Sequence, residues 1–114
     1  MGSRDLRELE DHLLGTLANE IEHLHQSLIG VERSCYSYGG NNVDKYVSCM
    51  EKKTERIDDE QQKFELRKAF FQHKFVDCKK AAQGNPEATQ QCKNDTIEKI
   101  RKCFTDFTAF VQKS

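Results

Sequence analysis

The sequence predicts an all-α protein: an antiparallel three-helix up-down-up bundle with long helices, in which disulfides staple the helical hairpins. Three observations predict this fold. Apolar residues recur every three or four positions along almost the whole chain, turn-forming residues cluster at only two places, and cysteines flank both turns at equal distances. We expect the 114 residues to form a single helical domain over residues 1–114.

The first helix is predicted over about residues 3–36, where the apolar side chains form one continuous stripe. Ser3 is suited to be its N-cap, because a serine hydroxyl can accept a hydrogen bond from the backbone of the first turn. Gly39 and Gly40 then supply the backbone freedom that a tight turn requires. Asn42 can cap the next helix.

The second and third helices are predicted over about residues 43–83 and 86–112. Gly84 suits a left-handed helix end, Asn85 suits an N-cap and Pro86 suits the first helical position. One helix therefore ends and the next begins within three residues. The sequence contains no convincing strand.

The composition of the chain argues against several kinds of partner. Lys plus Arg total 18 and Asp plus Glu total 19, so there is no general electrostatic reason to bind nucleic acid or an anionic membrane. No apolar run approaches the ~20 residues that span a bilayer. The N-terminal segment is acidic and amphipathic rather than a signal peptide or a mitochondrial presequence. We therefore expect no direct membrane span and no cleavable leader.

Four cysteines are placed symmetrically about the two predicted turns. Cys35 and Cys49 lie equally far from the first turn, and Cys78 and Cys92 lie equally far from the second. In an antiparallel hairpin such residues are at the same height, and a disulfide needs Cα atoms about 5.5 Å apart. The spacing favours Cys35–Cys49 and Cys78–Cys92 disulfides; the alternative is a reduced cytosolic protein with small buried cysteines.

Cys103 is the fifth cysteine, and several roles are open to it. It lies on the same helical face as Cys92 and competes with it for Cys78, or it is a free buried thiol or an intermolecular link. An exchanging thiol normally lies near a helix N-terminus beside a second cysteine, whereas Cys103 is late in its helix. The histidines and cysteines lack metal-ligand spacing. We therefore expect no enzyme activity, no catalytic residue, no cofactor and no metal site.

The third helix is shorter than the second and can cover only its C-terminal half, which leaves a bare two-helix hairpin near the first turn. Aromatic and methionine side chains, which are typical of partner surfaces, cluster at that hairpin. The predicted partner-binding residues are Tyr36, Tyr38, Tyr46, Val47 and Met50. The alternative is that they only cap the end of the hairpin.

Two polar residues, Gln61 and Lys68, interrupt the apolar stripe of the second helix where all three helices should overlap. Contact with another chain is the interpretation that the sequence offers for them.

Four segments that each carry one cysteine resemble a mitochondrial motif. They read VERSC at 31–35, CMEKK at 49–53, CKKAA at 78–82 and CFTDF at 103–107. Their spacing resembles that of Cys-x-x-x-Cys motifs in the family with sequence similarity 136, and less closely the small Tim chaperones and twin-cysteine helical hairpins. The resemblance covers about residues 20–110. The second cysteine of each motif is replaced, by Val31, Lys53, Ala82 and Phe107.

The resemblance implies import without a presequence, trapping by oxidative folding and residence in the mitochondrial intermembrane space. A Cys35–Cys49 pair fits the family pattern, whereas Cys92 has no counterpart there. The partner of Cys78 therefore stays open between Cys92 and Cys103.

The leading functional hypothesis is a non-enzymatic structural or accessory subunit of a larger mitochondrial inner-membrane assembly. It would face the intermembrane space and bind other protein subunits through its helical faces. One alternative is a small Tim-like chaperone for hydrophobic clients, and another is a reduced cytosolic, cytoskeletal or axonemal helical rod. A secreted helical bundle is a further class, because Asn94 lies in a glycosylation sequon.

Overall fold

The computed structural model describes residues 2–114, except for the side chains of residues 2, 3 and 5. In this part of the chain the only regular elements are four helices: α1 (Gly2–Thr16), α2 (Ala18–Gly39), α3 (Val43–Ala82) and α4 (Pro86–Gln112). The molecule measures 63 × 21 × 20 Å. A helix of 40 residues is about 60 Å long, so α3 alone sets the length of the molecule. The all-α prediction is confirmed.

Where the sequence predicts one first helix, the structure has two, separated at Leu17. Its φ of −93° and ψ of 9° lie outside the helical region. The hydrogen bonds nevertheless continue, from the Leu17 N–H to the Leu13 carbonyl and from the Ile21 N–H to the Leu17 carbonyl, both at 2.8 Å. Gly15 and Thr16, both weak helix formers, precede this position. The helical conformation is thus interrupted at Leu17, and the Leu17 side chain is buried in the core.

The N-terminus of α1 also differs from the prediction. The helix begins at Gly2, so the backbone of Ser3, the predicted N-cap, already lies inside it. The Ser3 side chain lies outside the described part of the structure.

The first turn closes tightly between α2 and α3. The Asn42 side chain accepts a hydrogen bond from the Asp44 N–H at 3.0 Å, as an N-cap does. Gly40 has a φ of 58°, in the left-handed region that favours glycine. A Cβ on Gly39 would lie 3.0 Å from the Cβ of Tyr46. The absence of a side chain at Gly39 therefore lets the two helices approach.

The second turn is built from the predicted residues, with one addition. The Asn85 side chain accepts from the Glu87 N–H at 2.9 Å, and Pro86 occupies the first position of α4. Gly84 has a φ of 80°, and Gln83 before it has a φ of 51°. The left-handed backbone thus extends one residue further than the glycine alone predicts.

Disulfides join the helices on either side of each turn. Cys35 is bonded to Cys49 and Cys78 to Cys92, with Cα–Cα distances of 5.5 and 5.9 Å. These are the two pairs that the spacing favours. Cys103 is unpaired and packs, half-buried, against the hydrophobic core.

The core is centred where α4 runs beside α3, and Leu9, Leu13 and Leu17 also belong to it. The ring of Phe64 meets Phe104 edge-on at a centroid distance of 5.5 Å and stacks on Phe107 at 6.1 Å. At the other end of this interface, the Lys53 ammonium donates to the backbone oxygen of Ser114, just beyond the end of α4. The helical segments on either side of the first turn, residues 31–53, extend past that point. We call them the two-helix end.

Lys68, which interrupts the apolar stripe of α3, has a partner within the chain. Its ammonium lies 2.7 Å from a carboxylate oxygen of Glu10 on α1. The Gln72 amide donates to the other oxygen of Glu10 at 3.3 Å. The Lys68 side chain is only 17% exposed, so this ion pair is partly shielded from water. The structure therefore explains Lys68 without a second chain, while Gln61 remains exposed.

Candidate functional site

Several large apolar side chains are exposed at the two-helix end. Its large exposed apolar side chains are Tyr36 (67%), Tyr38 (67%), Val43 (68%) and Val47 (43%). Tyr46 and Met50 are half-buried. Val43 was not among the predicted partner residues, although it directly follows the capping asparagine and continues the apolar pattern of α3.

The five predicted partner residues do not form one patch. Tyr46, Val47 and Met50 line the same groove along α3, and Tyr36 contacts Tyr46 edge-on with a centroid distance of 6.3 Å. Tyr38 lines a different groove. The two-helix end therefore has two faces, which differ in charge.

The first face carries what we call the acidic groove, of about 610 Å³, which continues along α3 beyond the two-helix end to Asp59. Its lining residues are Tyr46, Val47, Met50, Glu51, Thr54, Glu55, Asp58 and Asp59. Four carboxylates thus follow an apolar patch along a single helix face. Such a combination suits a partner that offers apolar side chains flanked by basic ones.

The second face carries the basic groove, of about 430 Å³. Its lining residues are Ser34, Tyr38, Lys45, Ser48, Cys49, Lys52, Lys53 and Arg56. All four charged side chains are cations. The balanced charge of the whole chain conceals this groove, but helical spacing reveals it, because residues 45, 52 and 56 share one face of a helix.

Tyr46 also links the two helices. Its hydroxyl donates to a carboxylate oxygen of Glu32 on α2 at 2.9 Å. This hydrogen bond raises the pKa of Tyr46, with smaller contributions from burial and from the negative charge of Glu32. Tyr46 therefore has a structural role beside any contact with a partner.

A third depression, the apolar cleft, opens between α2 and α3 and has a volume of about 430 Å³. Its apolar lining residues are Ile21, Leu24, Leu28, Val31, Met50, Ile57, Phe64, Phe104 and Phe107. Polar side chains, including His25, Gln61 and Glu65, share the lining. The cleft thus reaches the aromatic core of the α3–α4 interface.

No three His, Cys, Asp or Glu side chains in the described part of the chain come together as a metal site requires. None of the helices there is long and apolar enough to cross a bilayer. Comparison with family models, with curated proteins and with solved structures finds no match for the chain.

Proposed function

We propose that the chain is a non-enzymatic structural or accessory subunit of a larger mitochondrial inner-membrane assembly, facing the intermembrane space. The observation that carries this proposal is the two-helix end. It holds four exposed large apolar side chains on helices that the Cys35–Cys49 disulfide locks together. A surface fixed before binding loses less entropy on association than a flexible one, which favours stable contact with other subunits.

The two disulfides and the sequence resemblance support the compartment. Disulfides persist in oxidising compartments and are rare in the cytosol. The segments 31–35, 49–53, 78–82 and 103–107 resemble the motifs of the family with sequence similarity 136, which implies the intermembrane space. In this proposal α1 and α2 act as one bent rod, so that the chain forms a three-rod up-down-up bundle.

The experiment that tests the proposal is affinity purification of the tagged chain from mitochondria in mild detergent, with partner amounts quantified. We expect a fixed stoichiometry, which a Tyr36→Ser/Val47→Ser variant loses. The matched control is Leu66→Ser/Phe70→Ser, which removes comparably exposed apolar side chains (65% and 54%) outside the two-helix end. Partners lost equally from both variants, or in no fixed ratio to the chain, would contradict the proposal.

The apolar cleft favours a second candidate, a small chaperone for hydrophobic clients. Leu28 lines the cleft and is 38% exposed, so a photo-crosslinking amino acid at this position would report on its occupant. A chaperone predicts crosslinks to many unfolded proteins and their loss in Leu24→Asp. The subunit proposal predicts one set of stoichiometric partners that survives this substitution.

A further inference from the structure

The basic groove brings four cationic side chains together. Lys45, Lys52, Lys53 and Arg56 all line it, and none of its lining residues is acidic. The groove runs from the two-helix end to the C-terminus of α4, and its cations Lys45, Lys52 and Arg56 are exposed. Water and solutes therefore have access to the cations.

Two of the four cations are held in place, and two are available. Lys53 donates to the backbone oxygen of Ser114, and the Arg56 guanidinium carbon lies 5.8 Å from the ring centroid of Phe110. Lys45 and Lys52 have no carboxylate within 4.0 Å in the described part of the chain. Like charges on one helix face repel each other, and a bound anion would relieve that repulsion.

The remaining polar groups of the groove can also donate hydrogen bonds. Ser34, Ser48 and Tyr38 contribute hydroxyls. Ammonium, guanidinium and hydroxyl donors together match the three oxygens of a phosphate group. A volume of about 430 Å³ lies within the usual range for small-molecule sites, about 300–1,000 Å³.

The disulfide makes the groove rigid. Cys49 lines the groove and is bonded to Cys35 on the facing helix. Ser34 and Ser48 directly precede these two cysteines, so the disulfide fixes the backbone beside both serines. The backbone that carries these two serines therefore needs little further ordering when an anion binds.

We propose that the basic groove is a binding site for the phosphate groups of an anionic ligand. The ligand is a phosphorylated small molecule or a phospholipid headgroup, which share this chemistry. The two proposals share Tyr38, which lines the groove and is exposed at the two-helix end. They can still be tested separately, because binding of a phosphate group is measured on the isolated chain without any partner subunit.

The test is calorimetric titration of the oxidised full chain with inorganic pyrophosphate at low salt, beside sedimentation with vesicles. The vesicles contain equimolar phosphatidylcholine and phosphatidylglycerol, or phosphatidylcholine alone. We expect saturable binding that weakens about tenfold in Lys45→Gln/Lys52→Gln. The control is Arg67→Gln/Lys80→Gln, two exposed cations of α3 outside the groove, in which affinity should change by less than about twofold.

Each outcome supports or overturns the proposal. Groove-dependent binding of pyrophosphate indicates a soluble phosphorylated ligand, and groove-dependent binding of the anionic vesicles alone indicates a lipid headgroup. Absence of binding to both probes would overturn the proposal, as would equal weakening in the two double variants. A poly-glutamate peptide that binds as tightly as pyrophosphate would also overturn it, by showing that the groove recognises acidic protein segments.

Discussion

The Cys35–Cys49 disulfide should be the main support of the two-helix end, so Cys35→Ala/Cys49→Ala is an informative perturbation. The bond closes a loop with a sequence separation of 14. Loop-closure entropy then assigns it about 3 kcal/mol of the free energy of unfolding. For a chain of this size that loss corresponds to a fall of about 12 °C in the melting temperature.

The assay combines urea unfolding, followed by far-ultraviolet circular dichroism, with amide hydrogen exchange read by peptide. The matched variant is Cys78→Ala/Cys92→Ala, whose disulfide spans the same separation of 14. Loop closure should therefore contribute about equally to the free energy of unfolding for the two disulfides. Exchange should differ, because only loss of Cys35–Cys49 should expose the amides of residues 31–53, which α4 does not cover.

The free cysteine provides the control, since Cys103→Ala removes a half-buried thiol and no disulfide. Cys103→Ala should lower the free energy of unfolding much less than either double substitution. The reasoning would be refuted if Cys35→Ala/Cys49→Ala lowered the unfolding free energy by under about 1 kcal/mol and left exchange of residues 31–53 unchanged.

Three further predictions concern single side chains. Lys68→Ala should lower the free energy of unfolding by about 1–2 kcal/mol in urea titrations, because it leaves a partly shielded carboxylate without its cation. Thr108→Val should raise the free energy of unfolding by about 1 kcal/mol, seen as a higher melting temperature, because the buried Thr108 hydroxyl has no hydrogen-bond partner. Glu32→Gln should lower the raised pKa of Tyr46, which ultraviolet absorbance measures. In the unsubstituted chain, the Tyr46–Glu32 hydrogen bond should persist below about pH 10 and be lost as the pH rises through the raised pKa.

Matched substitutions decide each of these outcomes. Lys63→Ala breaks a more exposed ion pair and should cost under about 0.5 kcal/mol; an equal cost for Lys68→Ala would contradict the first prediction. Thr96→Val removes a hydroxyl that donates to the Cys92 carbonyl at 2.8 Å, so it should be less favourable than Thr108→Val. An unchanged Tyr46 titration in Glu32→Gln would contradict the third.

Local signals in the sequence were sufficient to predict much of the fold. The structure ends α3 at Ala82 and runs α4 from Pro86 to Gln112, within a residue of the predicted bounds, because the turn residues themselves carry the helix signals. The disulfide pairs also follow from local symmetry about the turns. The interruption of the helix at Leu17 could not be predicted in this way, since no proline marks it and its hydrogen bonds continue.

Long-range contacts account for the other differences. Lys68 suggested a second chain because its partner, Glu10, is 58 residues away in sequence. The partner surface was predicted as one patch, yet Tyr38 lies in the basic groove and Tyr46 in the acidic groove. Helical spacing within α3 alone indicates the separation of charge. Tyr38 belongs to α2, so the groove that it lines depends on the orientation of α2 against α3. The sequence does not specify that orientation.

The most direct test of the account is a non-reducing peptide map by mass spectrometry, on protein isolated from its native source with free thiols blocked at lysis. The account predicts a Cys35–Cys49 link, a Cys78–Cys92 link and a blocked thiol at Cys103. Five blocked thiols would contradict it, because they would remove the disulfide-locked two-helix end and favour the reduced cytosolic rod.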